Sequence, residues 1–184
     1  MGAVARVLLC SRNEHKRREL ERALPGWQIE LLEADYPEEL GASYYENARA
    51  KAECGRALSP DALLLGEDSG LEVVALHGEP GLHSARWSER PIDDLLDRLQ
   101  GVPDRRARYV CELVLLAPGE SERRGTGTLE GHIAAVPRGT EGFGYDPVFV
   151  PRGQEHTVAE LGNEWKAANS HRARAALALH RQVD

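Results

Sequence analysis

Val4-Ala5-Arg6-Val7-Leu8-Leu9-Cys10-Ser11-Arg12-Asn13-Glu14-His15-Lys16 is the stretch on which the fold turns. Its first half is mostly apolar and barely alternates, as a strand buried on both faces does. Asn13 stands where a helix cap is wanted, and a helix runs from Glu14 to about Leu24, where Pro25-Gly26 ends it. A strand feeding directly into a helix is the start of an α/β unit. Such a turn aims free main-chain N–H groups outward, where the helix dipole favours an anion. Ser11, Asn13 and Lys16 add donors and charge, which suits phosphate. The spacing is not that of a Walker loop, and a plain cap with a solvated lysine explains the same residues equally well.

Outward from this unit, Trp27 to Leu32 reads as a strand. Ser43 to Glu46 has capping-box spacing and opens a helix to about Leu58. Ala62 to Gly66 reads as a short buried strand, followed by a polar turn and a further strand from Leu71 to Leu76. Ile92 to Leu99 is an amphipathic helix. Arg108 to Ala117 and Arg123 to Glu130 form a hairpin about Pro118-Gly119. Gly139 to Pro147 is a glycine-rich loop leading into a strand at Val148 to Val150. Helices at Thr157 to Leu161 and Ser170 to about Gln182 complete the chain. Early alternation of strands and helices followed by a hairpin predicts an α/β fold with a mixed sheet.

The 184 residues and their ordinary composition suit one globular domain, 1–184, with no repeat or linker. A net charge of -7 without a basic run argues against a nucleic-acid partner. No stretch approaches the roughly 20 apolar residues that span a bilayer. Cys10, Cys54 and Cys111 are too scattered for a metal or redox motif, so a reducing, cytoplasmic setting is expected. Lysine is scarce: Lys16, Lys51 and Lys166 stand alone among 23 basic residues. Where arginine is the default cation, a lysine marks a position that wants a compact charge, although chance would serve as well.

Further constellations could carry chemistry. Glu46 is either a cap partner of Ser43 or a carboxylate ligand for Mg²⁺. Gly66-Glu67-Asp68-Ser69-Gly70 sets two acids after an apolar strand, where α/β proteins bind ligands and a cation would relieve the repulsion. A polar surface turn is the plain alternative. Shortly after it, Arg86 in Pro80-Gly81-Leu82-His83-Ser84-Ala85-Arg86-Trp87 could reach a phosphate or a carboxylate. Gly142-Phe143-Gly144-Tyr145-Asp146-Pro147 presents an aromatic ring between two glycines, able to stack on a base while Asp146 accepts hydrogen bonds. Finally, Ser170 caps a helix whose first turn carries His171 and Arg172, cations set against the dipole.

Taken in order, Ser-x-Asn-x-x-Lys, Glu-Asn-Ala, Asp-Ser-Gly-Leu, Pro-Gly-x-x-Ser-Ala-Arg-Trp, Gly-Phe-Gly-Tyr-Asp-Pro and Ser-His-Arg closely resemble the inosine/xanthosine triphosphate pyrophosphatase family, from Val7 to about Leu177. The resemblance implies an elongated mixed sheet flanked by helices, two lobes with the active-site cleft between them, a homodimer, and Mg²⁺-dependent cleavage between the α and β phosphates of ITP, dITP or XTP. It implies that Ser11, Arg12, Asn13, Glu14, His15 and Lys16 hold the triphosphate, that Asp68 is general base and metal ligand, and that Glu46 helps bind metal, with Glu67 a further candidate. Ser69 would contact substrate, and Phe143, Gly144, Tyr145, Asp146, Lys166, His171 and Arg172 would frame the nucleotide. Ser11 stands where the family usually has threonine, Glu67 where it commonly has aspartate, and the segment after Trp87 is shorter than usual. A pyrophosphatase for other modified nucleotides, a phosphatase releasing orthophosphate, and a non-catalytic nucleotide sensor are the alternatives.

Overall fold

β1 (Ala5–Leu9) pairs in parallel with β2 (Trp27–Leu31) and with β3 (Leu63–Val73) in the computed structural model, which describes residues 5–182. Val4, the expected first residue of β1, lies outside the described residues. The sheet continues antiparallel through β4 (Arg106–Leu116), β5 (Arg123–Ile133) and the short β6 (Phe149–Pro151). Strand order is β2-β1-β3-β4-β5-β6, the mixed α/β sheet that the sequence predicts. Among the described residues no helix is long and apolar enough to cross a membrane.

The helices begin where their caps say. α1 (Glu14–Ala23) starts at Asn13, whose side chain accepts from the His15 and Lys16 amides. α2 (Tyr44–Leu58) starts at Ser43, whose side chain accepts from the Glu46 amide. The other half of the expected box is shifted by one residue, because the Glu46 carboxylate takes the Ala42 N–H at 2.7 Å. α3 (Pro91–Arg98) opens on proline in its first turn, a place that needs no amide donor. α4 (Val158–Asn169) has a full capping box between Thr157 and Glu160 and runs well past the expected Leu161, with a break at Gly162. α5 (His171–His180) follows at once from the Ser170 cap.

One expectation fails, and it matters most. Gly66 to Gly70 is not a turn. β3 is one strand of 11 residues running straight through it, and Glu67, Asp68, Ser69 and Gly70 pair with Leu113, Glu112, Cys111 and Val110 of β4. Gly, Asp and Ser favour turns only when nothing better is offered. Here β4 pairs with one edge of the stretch, side chains such as Lys51 on the Glu67 carbonyl and Ser84 on the Leu71 amide meet main-chain groups of the other, and cations satisfy the acids. The expected strand from Leu71 to Leu76 is therefore the second half of β3, ending at Val73, with a 3₁₀ turn at Val74–Leu76.

The length of β3 is what makes two lobes. Its first half, Leu64 and Leu65, is packed with β1, α1, α2 and α5. Its second half, Leu71 and Val73, belongs to a separate core with Leu95, Leu99, Leu129 and Phe149. The polar stretch lies between the two cores. α2 is seated there on Gly66, where an added Cβ would run into the Ala48 carbonyl oxygen. Gly66→Ala is expected to lower stability by about 1–3 kcal/mol, the scale of overpacking, read as a fall in the urea midpoint at unchanged slope.

Candidate active site

Successive residues of a strand point to opposite faces, so β3 sends its two acids in opposite directions. Asp68 faces α2, where Asn47 Nδ2 donates to its Oδ2 at 2.9 Å and Lys51 Nζ lies 3.2 Å from its Oδ1. Glu67 faces α1 and α5, with Lys16 Nζ at 2.6 Å and Arg172 at 2.8 and 3.2 Å. Ser69, two residues on, returns to the Glu67 face, and its Oγ accepts from Arg172 at 2.8 Å. Both carboxylates are buried.

Their protonation is set differently. Burial pushes the Asp68 carboxyl up to about 6; Lys51 opposes this, while the negative charges of Glu67 and Glu39 add to it. Burial acts on Glu67 in the same sense, but the cations of Lys16, Arg172 and Lys51 outweigh it and hold that carboxyl well below the ordinary range. Asp68 is thus a carboxylate with basicity to spare, and Glu67 a fixed negative charge.

From Glu67 a ladder of alternating charge crosses the molecule. Arg172 also binds Glu19, Glu19 also binds Lys166, and Lys166 Nζ reaches Asp146 Oδ2 at 2.5 Å. Lys16-Glu67-Arg172-Glu19-Lys166-Asp146 is three cations against three anions, which is how so many charges are buried together. It also resolves the charge conflict at the start of α5. Arg172 is neutralised by Glu67 and Glu19, and burial, assisted by the Arg172 and Lys166 charges, holds His171 well below its ordinary pKa and therefore neutral.

Asp146 ends the ladder in the glycine-flanked loop. Its Oδ2 accepts from the Phe143 amide at 2.8 Å, and its Oδ1 accepts from the Tyr109 hydroxyl at 3.3 Å. Gly142 and Gly144 take φ of +80° and +61°, which side chains rarely adopt, and so let Phe143 turn inward between them. Lys166 Nζ lies 4.3 Å from the Phe143 ring centre. Tyr109 stacks on His171 at 4.5 Å with planes 9° apart. The Tyr145 hydroxyl donates to the Ser84 carbonyl at 3.2 Å, tying the loop to the turn before Arg86.

Two cavities meet here. One of about 260 Å³ is walled by Ser69, Tyr109, Phe143, Tyr145, His171 and Arg172. The other, about 640 Å³ and more open, lies over Ser11 to Lys16, with Glu39, Lys51 and Arg86 opposite. Asn13, Lys16 and Ala85 border both. The Ser11 hydroxyl accepts the Asn13 amide at 3.0 Å, bracing the turn. Arg12 and Glu14 are less committed to the cavity: Arg12 pairs with Asp35, and Glu14 with Arg17 and Arg18. Arg86 Nη1 binds Glu39 at 2.5 Å, and Glu39 in turn binds Lys51. Glu46 is exposed, and no hydrogen bond or ion pair joins it to Asp68 among the described residues.

Sequence reasoning missed Glu19, Glu39, Asn47 and Tyr109. Glu19 looks like any acid on a charged helix, and Asn47 stands out only as part of the Glu-Asn-Ala motif. Lys51 had one signal, the scarcity of lysine, and all three lysines of the chain do meet a buried acid of this site.

Known proteins repeat the arrangement of the whole chain. The model of the Ham1 family matches residues 7–182. A dITP/XTP pyrophosphatase of Deinococcus deserti is 44% identical over 181 residues, covering 94% of this chain and 86% of that one. A second, from Deinococcus radiodurans, is 42% identical over 184 residues, covering 96% and 92%. The solved Ham1 protein of Staphylococcus aureus is 34% identical with a TM-score of 0.84, covering 97% of both chains. A match that runs from β1 to the end of α5, over the same fold, shows that this chain belongs to the Ham1 family.

Proposed function

We propose that this chain hydrolyses non-canonical purine nucleoside triphosphates (ITP, dITP and XTP) to the nucleoside monophosphate and pyrophosphate, clearing deaminated purines from the nucleotide pool. The observation that carries the reading is the pair of joined cavities: an aromatic one sized for a base, and an open one over a helix N-terminus whose wall includes Lys51, the ion-pair partner of the basic carboxylate of Asp68. The relatives named dITP/XTP pyrophosphatase support the same substrates.

Asp68 accepts the proton of the attacking water. Asn47 and Lys51 hold its carboxylate in place. The α1 N-terminus and Lys16 stabilise charge on the phosphates. His171 lines the base cavity, and its buried Nδ1 has no hydrogen-bond partner among the described residues, which leaves it available to a ligand. A donor aimed at the 6-oxo group of hypoxanthine or xanthine is left unpaired by the amino group of adenine, which is a strong basis for rejection. Glu67 serves as counter-charge to Lys16 and Arg172.

The donor set fits Mg²⁺. Among the described residues no three His, Cys, Asp or Glu side chains form a metal cage. Mg²⁺ needs none, because it takes one or two carboxylates and completes its shell with water and substrate phosphates. Asp68 is the anchoring carboxylate, and Glu46 would have to release the Ala42 amide to join it. When bound, the ion neutralises phosphate charge and orients the triphosphate.

Pyrophosphate release from ITP, XTP, dITP, GTP, dTTP and UTP, with and without Mg²⁺, tests the proposal. The expected result is turnover confined to ITP, XTP and dITP and lost without the metal. Equal rates on all six would remove the specificity, and orthophosphate as product would remove the reaction. The homodimer belongs to the same proposal, and a monomer mass by light scattering would overturn it.

A further inference from the structure

His15 does not do what its position suggests. On the first turn of α1 it belongs to the segment that faces the phosphate cavity. Its ring instead lies against Phe143, with centroids 5.1 Å apart and planes 27° from parallel. The two residues come from opposite walls. The His15 amide is capped by Asn13 Oδ1 at 2.9 Å, and the Phe143 amide is held by Asp146 Oδ2 at 2.8 Å in a loop between two left-handed glycines.

The charge ladder also joins the phosphate turn to the base loop, but its members close on one another and all but Lys16 are buried. His15 is exposed and Phe143 half-buried, so their stack can open and close at little cost. Of the two substrate cavities, His15 lines the phosphate one and Phe143 the base one, and both border a third cavity of about 270 Å³ on the α1 side.

We propose that His15 is a positioning residue that, by stacking on Phe143, couples occupation of the phosphate cavity to ordering of the base loop. This rests on the nucleotide-substrate reading above. Phosphate bound at the α1 N-terminus steadies that turn and the His15 ring with it. Phe143 then meets an ordered neighbour, and the base binds a loop already in place. Such coupling is reciprocal: each half of the substrate tightens the other by the same factor.

The test measures inosine affinity by calorimetry with and without saturating pyrophosphate, on the full chain. In the wild type pyrophosphate is expected to tighten inosine binding by roughly 3- to 10-fold, the worth of one aromatic pair. His15→Ala is expected to lose that factor, and His15→Phe, which can stack but carries no donor, to restore it. Coupling that survives in His15→Ala overturns the proposal. So does a loss of pyrophosphate affinity shared by both variants, which would make His15 a phosphate ligand. A wild type that hydrolyses ITP without any coupling overturns the stacking role alone. A wild type that neither binds inosine nor hydrolyses ITP overturns the functional reading beneath it.

Discussion

Asp68→Asn is expected to lower kcat for ITP by about 100-fold or more, the scale of a lost general base, while the protein folds and binds nucleotide. The asparagine oxygen can still accept from Asn47, and Lys51 keeps Glu39, so no buried charge is stranded. What is lost is basicity. A carboxyl raised to about 6 by burial is mostly ionised at neutral pH yet still willing to take a proton; an amide is not. Steady-state pyrophosphate release, with nucleotide binding measured separately, decides the point. Near-normal turnover would falsify the assignment of Asp68 as base.

Glu67→Gln should be costly in a different currency. The substitution keeps the shape and removes the charge on which Lys16 and Arg172 converge. Arg172 retains Glu19, but Lys16, partly exposed, is left without an ion-pair partner among those described, and the buried end of the ladder carries one positive charge in excess. Breaking one partner of a buried pair costs about 3–5 kcal/mol. Urea unfolding measures it as a lower midpoint with little change in slope. Glu67→Asp keeps the charge one methylene short and is expected to retain most of the stability. A Glu67→Gln protein as stable as the wild type would show that the ladder is held by packing rather than by charge.

The two variants separate roles that lie one residue apart. Their difference arises because a strand alternates its faces. Had residues 66–70 been the turn that their composition suggests, both acids could have faced one ion. As a strand, β3 hands Asp68 to Asn47 and Lys51 of α2, and Glu67 to the ladder. The sequence reading named Glu67 as a further metal candidate beside Asp68; the strand sets the two acids on opposite faces.

What the sequence by itself determined about this protein is local. Asn13, Ser43, Thr157 and Ser170 mark helix starts because each satisfies main-chain amides two or three residues away. Gly142 and Gly144 mark the inward loop because few other residues hold a positive φ. The order of the motifs was enough to name the chemistry. Tertiary structure alone decided which charges meet. Arg172 pairs with Glu67 and Glu19, 105 and 153 residues away, and nothing near any of them in sequence records it. It also decided that Gly66 to Gly70 is strand, since the hydrogen bonds of β4 and the cations of α1, α2 and α5 outweigh a weak local preference for turning. A cap is settled within one turn of helix, whereas a buried charge depends on whatever the fold brings to it.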